Sequence, residues 1–437
     1  MTTIVNRLTV KATCPYCGCL CDDIEVTVED NNIHSVKNAC RLGAMKIKSA
    51  NSENRNLKYL IKSGNSKIEV TLDEALEETV NLLLNADKPV LYGWSNTSCE
   101  AQLIGLKIAK MLKGVWDNTT SVCHGTAAIA TAESGIPSAT LGEIKNRADL
   151  IIYWGSNPLE SHPRHLKRYS YYTKGRFISK SKRKMIAIDV RETKTTRLSD
   201  KFILVKPNSD YKVISALHYI VKFGEPPERT DIGVSLNDLM ELAKLIREAK
   251  FGVVFFGLGL TMTGYGYCNL DALYSLIQDL NKFGKWVTIP MRGHYNVSGA
   301  NVVSTYMTGF PFAVDFSTGK PYYNPGETTI IDLLYNNECD LLMSVAADPL
   351  GTLPWEVISK SKGIKIIAQD PYPTSTTEAA DIVLPTLICG VEAGGTAYRM
   401  DGVPIPLKPV VKGREGLLSD EALLKKILEK ISQKVAR

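Results

Sequence analysis

The chain has 437 residues, 44% hydrophobic and 22% charged, with 52 Lys+Arg against 46 Asp+Glu for a net charge of +6. At about 150 residues per domain, this predicts two or three domains with ample apolar material for their cores, and it excludes wholesale disorder. The charge excess is too small to imply nucleic acid, and no apolar run approaches the ~18 residues of a membrane span. The start, MTTIVNRLTVKATCPYC, carries no recognisable targeting segment, so a cytoplasmic location is expected. Ten cysteines stand out, because five of them fall between residues 14 and 40. In a cytoplasmic chain such crowding points to metal or redox chemistry rather than disulfides.

Residues 1–60 are read as a separate, irregular, cysteine-rich module. Its spacing is C-x2-C-x3-C-x18-C over Cys14, Cys17, Cys21 and Cys40, with Cys19 as a bystander inside the loop. Three thiolates from one tight loop plus one distant cysteine suit a cubane [4Fe–4S] cluster. A four-cysteine zinc site is the alternative, although zinc ligands usually arrive as two separated CxxC pairs.

From about residue 68, short apolar runs alternate with amphipathic helices. Helices are expected over 71–86, 99–114 (closing on a glycine), 210–224 and 236–250. Strands are expected over 88–95, 148–158, 184–190 and 251–259. This alternation is that of a doubly wound α/β protein, in which ligands sit at the carboxyl ends of strands.

An internal repeat organises the middle and end of the chain. Asp149-Leu-Ile-Ile-Tyr-Trp-Gly-Ser-Asn157-Pro158 is echoed by Asp340-Leu-Leu-Met-Ser-Val-Ala-Ala-Asp348-Pro349. Each copy is followed by a second strand ending in an acid, Asp189 or Asp370. Thr193 and Thr374, Thr196 and Thr377, and Asp200 and Asp381 then recur at identical offsets. Strand composition explains part of this match but not the polar offsets. Two related nucleotide-binding halves are therefore expected, in which a polar strand-end loop meets phosphates and the next strand's acid accepts from a ribose or a guanine edge.

Three further segments carry polar groups. Cys123 and His124 precede the small-residue run GTAAIATAESG, where a helix N-terminus would favour a thiolate, as nucleophile or soft-metal ligand. A buried core cysteine is the plain alternative. Arg292, in PMRGHYNVSG after the strand WVTI, could clamp a carboxylate or salt-bridge a neighbour. The stretch 164–184 is basic, without an acid, and interleaved with aromatic residues. It reads as a solvated insertion or partner-docking loop, with a nucleic-acid surface as the alternative.

Together these motifs resemble the molybdopterin oxidoreductase superfamily of formate dehydrogenases and dimethyl sulfoxide reductases. The matching pieces are the cluster loop, Cys123-His124, WGSNP, IDVRETKTTRLSD, MRGHYNVSGA, and ADIVLP with Glu392-Ala-Gly-Gly-Thr396. More narrowly, CPYCGCLCDDIEV, NACRLGA and AGGTAYRMDGVP look like the family of formylmethanofuran dehydrogenase B subunits. The resemblance implies an α/β fold with an iron–sulfur module, two Rossmann-like halves and no C-terminal pterin barrel domain. It divides the chain into 1–60, a metal-site region over 61–145 and 285–335, a first half over 146–284 and a second over 336–437. It implies tungsten or molybdenum on two molybdopterin guanine dinucleotides, with Cys123 as metal ligand and His124 and Arg292 as proton carrier and anion clamp. Asn157, Asp189, Asp348 and Asp370 would contact the nucleotide ends, as would Ser156, His162, Lys206, Asp210 and Thr396. The implied reaction is reversible reduction of CO₂ to formate. The implied partners are a barrel-domain subunit, an amidohydrolase subunit and a polyferredoxin-type carrier. A self-contained formate dehydrogenase and a non-catalytic scaffold of a formyltransferase/hydrolase complex are the alternatives. One departure is that formate dehydrogenases carry Lys two residues after the fourth cluster cysteine, where this chain has Leu42.

Overall fold

The computed structural model describes residues 7–228, 231–361 and 363–435. Residues 1–6, which the targeting reading includes, lie outside the described residues. The chain divides into two compact units. The first takes the described residues up to Val122, then His294–Arg399 and those from Pro404 onward; the second takes Cys123–Gly293 and Met400–Val403. Among the described residues no helix is long and apolar enough to cross a membrane.

The second unit is built on a five-stranded parallel sheet. Its spatial order is Lys201–Leu204, Lys184–Asp189, Leu150–Trp154, Phe251–Phe256, Lys285–Pro290. The first-formed strand, Leu150–Trp154, is central; the chain builds outward on one side of it, then returns to build on the other. The reversal falls between Leu150–Trp154 and Phe251–Phe256, the position at which open parallel sheets generally bind their ligands. These strands are almost continuously buried, as a sheet covered on both faces requires.

The first unit carries a nine-stranded sheet whose parallel centre runs Val115–Asn118, Pro89–Gly93, Leu341–Val345, Lys365–Gln369, Ile382–Leu384. Leu341–Val345 holds the place that Leu150–Trp154 holds in the other sheet, although here the strands on its far side come from earlier in the chain. Two antiparallel edge pairs, Tyr59–Ser63 with Ser66–Val70 and Val314–Asp315 with Tyr322–Tyr323, complete it. Trp94 and Trp116 stack in its core at 5.9 Å, against the Cα of Gly105.

The repeat is visible in the hydrogen bonds. Asp149 accepts from the amides of Lys250 and Phe251, and Asp340 from those of Asp87 and Lys88, so each acid pins the start of the neighbouring strand. Asp200 accepts from Met185 N and Asp381 from Ile366 N. Thr193 with Thr196, and Thr374 with Thr377, form matching capping boxes. The recurring polar offsets thus serve strand starts and helix caps.

Two expectations are corrected. Residues 7–60 are not irregular: Arg7–Ala12, Ile24–Glu29 and Asn32–Lys37 form an antiparallel sheet, followed by the helix Arg41–Lys48. The helix Cys99–Met111 does not close on a left-handed glycine. Lys113 takes φ = 53° instead, because Gly114 is needed where a Cβ would lie 2.5 Å from Pro89 O.

Candidate functional site

In the second unit, the ends of the two central strands approach through glycines. Gly155 has φ = 56°, and a Cβ there would lie 2.7 Å from the Cα of Gly259. Gly259 N donates to Gly155 O at 3.0 Å, tying the two strand-end loops together.

Cys123, His124 and Arg292 meet at these strand ends. Cys123 lies two residues before the helix Gly125–Ser134, and its carbonyl accepts from Thr261 Oγ1 at 2.7 Å. The His124 ring lies 6.1 Å from that of Phe256, the last residue of a central strand. Arg292 follows Lys285–Pro290, and its guanidinium interacts with both Cys123 and Tyr274. His162 joins them, donating from Nε2 to Arg292 O at 2.8 Å while Nδ1 pairs with Ser161 Oγ.

Both ring nitrogens of His124 are buried without a hydrogen-bond partner among the described residues. Burial, reinforced by Arg292 and His162, holds its pKa at about 3, so the ring is neutral. His162 is held near 4 by burial. An orphaned polar ring is costly unless something else satisfies it. That ring, beside a thiol and a guanidinium, fits a bound polar group with soft-metal and anionic character.

The remaining candidates in this unit divide. Ser156 is buried at the end of Leu150–Trp154. Asn157 is occupied internally, accepting from Thr195 Oγ1 and donating to Glu160 Oε2, each at 2.7 Å. Asp189 ends its strand with a pKa raised by burial. Asp210 accepts from Trp154 Nε1 at 2.8 Å, while its Oδ2 is buried without a partner among the described residues. Lys206 is exposed just past Lys201–Leu204.

In the first unit, a cavity of ≈ 270 Å³ opens at the carboxyl ends of the parallel strands. Lys46, Asn96, Asp348, Asp370, Tyr372 and Asp420 are among its lining residues. Burial raises the Asp370 pKa to about 7. Asp348 caps Pro349–Thr352 and accepts from Thr376 N and Oγ1. Thr396 lies elsewhere, in a hairpin where Glu100 takes both its hydroxyl and its amide. Asn296 is likewise engaged by Thr97 O and Tyr398 N.

The cysteine loop folds back tightly, with Cys14 N donating to Cys21 O at 2.9 Å and Leu20 N to Cys17 O at 3.0 Å. Cys40 caps the helix Arg41–Lys48, its sulfur accepting from Gly43 N. A Cβ on Gly43 would lie 2.6 Å from Cys14 Sγ, so only glycine leaves that sulfur room, with Cys40 Sγ in ordinary contact at 3.6 Å. Burial pushes the Cys14 thiol up, and Cys17, Cys21 and Cys40 all add to the shift. Among the described residues no His, Cys, Asp or Glu group is closed into a ready metal cage. Even so, Cys14, Cys17 and Cys21 are buried, and half-buried Cys40 is close enough to act on Cys14, an arrangement that suits a group that binds thiolates. Buried Cys19 hydrogen-bonds Cys17 through its side chain.

Sequence reasoning missed Gly43, Thr261, Tyr274 and Lys46. It also left Glu392 within a motif, whereas its carboxylate pairs with Arg55 at 2.7 Å in a fully buried ion pair. Only the glycine three residues after Cys40 had a local signal.

The profile of the molybdopterin oxidoreductases matches residues 54–430, and the chain belongs to that family. The chain is 43% identical over 425 residues to the B subunit of the tungsten-containing formylmethanofuran dehydrogenase 2 of Methanocaldococcus jannaschii, covering 96% of this chain and 98% of that protein. It is 42% identical, with the same coverage, to the B subunit of the enzyme of that name from Methanococcus maripaludis. Among solved structures, the formyltransferase/hydrolase complex of Methylorubrum extorquens with methylofuran shares the fold, with a TM-score of 0.70 at 18% identity over 87% of this chain and all of that one.

Proposed function

We propose that this chain is the redox subunit of a formylmethanofuran dehydrogenase, reducing CO₂ reversibly to formate at a tungsten or molybdenum bis-pterin centre. The observation that carries this reading is the meeting of Cys123, the orphaned His124 and Arg292 at one set of strand ends. The close similarity to two proteins of that enzyme's name supports it. When bound, the pterin–metal group supplies two-electron redox chemistry.

The Cys123 thiolate holds the metal. Arg292, its carbonyl fixed by His162, presents a guanidinium that attracts CO₂-derived anions. His124, neutral through burial, has two nitrogens without a partner among the described residues and takes or returns the proton at one of them. Cys14, Cys17, Cys21 and Cys40 would hold a [4Fe–4S] cluster, which would supply one-electron transfer.

The two parallel sheets act as Rossmann-like halves, each binding one guanine dinucleotide. Asp189, with Ser156, Asn157, His162, Lys206 and Asp210, serves one; Asp348, Asp370 and Thr396 serve the other. The division into an iron–sulfur module over 1–60, a metal-site region over 61–145 and 285–335, and halves over 146–284 and 336–437 follows the same reading. Other subunits supply the pterin barrel, the amidohydrolase that consumes formate, and the polyferredoxin-type carrier, all in the cytoplasm. A scaffold role, favoured by the fold shared with a formyltransferase/hydrolase complex, is opposed by the five cysteines that a redox subunit needs.

Cys123→Ala in the anaerobically purified complex is expected to abolish viologen-linked CO₂ and formate turnover and to empty the metal site on elemental analysis. The iron–sulfur spectrum should persist. Turnover retained in that variant overturns the reading.

A further inference from the structure

The basic stretch within the second unit takes no part in the site above. Asn157 to Asp189 spans 32 positions, whereas Asp348 to Asp370 spans 22, so the repeat itself marks about ten residues here as additional. Lys174, Arg176, Lys180, Lys182 and Lys184 are all exposed, and none forms an ion pair among the described residues.

Within this patch lies a recess of ≈ 640 Å³ lined by Lys174, Ser179, Lys180, Ser181, Arg183 and Asp200, as well as a tyrosine. Arg183 is 4% exposed. Its Nη atoms donate only to the carbonyls of Ile144 and Lys145, and its Nε has no partner among the described residues. The one acid that lines the recess, Asp200, is already engaged by Tyr171 and by Met185 N. Asp149 acts on the guanidinium from a distance, and among the described residues Arg183 forms no ion pair with it or with Asp200. A buried guanidinium bonded to carbonyls alone keeps much of its charge uncompensated, which is costly unless an anion arrives.

The aromatic rings decide between acidic partners. Lys180 covers Tyr172 at 4.8 Å, and Arg147 and Arg176 lie over Phe177 at 4.3 and 5.6 Å. Tyr172 and Phe177 are thus already covered by the chain's own cations, which leaves nucleic-acid bases only Tyr171 to stack on among the described residues of the recess. Carboxylates need only the cations.

We infer that the recess and its lysine rim dock an acidic segment of a partner protein, with one carboxylate entering toward Arg183 and others meeting Lys174, Lys180 and Lys182.

The test uses the full chain, a fluorescently labelled short polyglutamate peptide and a duplex DNA of equal charge. Polyglutamate should bind in a strongly salt-dependent way, and Lys174→Gln/Lys180→Gln/Lys182→Gln should weaken it about tenfold or more. These three side chains are exposed, so an unchanged melting temperature serves as the folding control. Unaltered polyglutamate binding by that variant, absence of binding by the wild type, or tighter binding of the DNA would each overturn the inference.

Discussion

Asn157 and Asp348 hold the same backbone angles to within about a degree, −118°, 72° and −119°, 73°, at matching points of the two repeats. Each takes the hydroxyl of a threonine at 2.7 Å, Thr195 or Thr376. They differ in their second role. Asn157 also donates to the carboxylate of Glu160, whereas Asp348 accepts from the amide of Gly351 in its own helix and from that of Thr376 in another.

That difference makes exchange between the halves asymmetric. Asn157→Asp sets two carboxylates against each other and is expected to cost about 1 kcal/mol, softened by the exposure of Glu160. Asp348→Asn keeps an accepting oxygen and should cost less, while Asp348→Ala loses the cap and should cost about 1–2 kcal/mol. Urea midpoints of the three variants give the ranking.

Arg55 and Glu392 should behave as a unit. Glu392 also accepts from Ile388 N, and Arg55 donates to Thr386 O, so both groups are held in place. Arg55→Met leaves a buried carboxylate alone and is expected to cost about 3–5 kcal/mol. Arg55→Met/Glu392→Met removes both charges and should cost less than either single change. A double-mutant cycle by chemical denaturation measures this.

Gly105→Ala should destabilise, although alanine ordinarily favours a helix by up to about 1 kcal/mol. The new Cβ would lie 2.0 Å from Trp94 Cη2. Trp94 cannot retreat, being stacked on Trp116 and bonded through Nε1 to Leu91 O. A cost of about 1–3 kcal/mol is expected, with a changed near-ultraviolet tryptophan signal.

His165 should govern part of the acid limb. It is fully buried, with its ring 4.6 Å from Phe255, and burial holds its pKa well below the ordinary value. The folded state therefore binds fewer protons than the unfolded state below about pH 6.5, and stability falls as pH drops through that range. His165→Phe should flatten this loss. Urea midpoints at about pH 7 and about pH 5 test it, and an unchanged slope would falsify the assignment.

Much of this was legible in the sequence because it is local or periodic. The buried strands LIIYW and FGVVFF and the helix 210–223 announce themselves by apolar runs and spacing. The repeat was legible because polar residues recur at fixed offsets, yet their purpose was not. Thr193 and Thr196 stand out only as recurring offsets, and they serve as a capping box. Asp348, expected as a ligand contact, lines the cavity and also caps a helix, a second role that no pattern announces. Arg55 and Glu392 are 337 positions apart, and no local pattern could pair them. Gly43 was missed because its reason is steric, the space taken by the Cys14 sulfur.

The nesting of one unit within the other sets a timetable for biosynthesis. Cys123–Gly293 is nearly self-contained, lacking only Met400–Val403, and can close its parallel sheet soon after Pro290 leaves the ribosome. The strand Pro89–Gly93 emerges far earlier but pairs with Leu341–Val345, so it waits for roughly 250 further residues. At ~5–20 residues per second, that is on the order of 10–50 s with an apolar strand edge exposed. The part made second is the first able to finish.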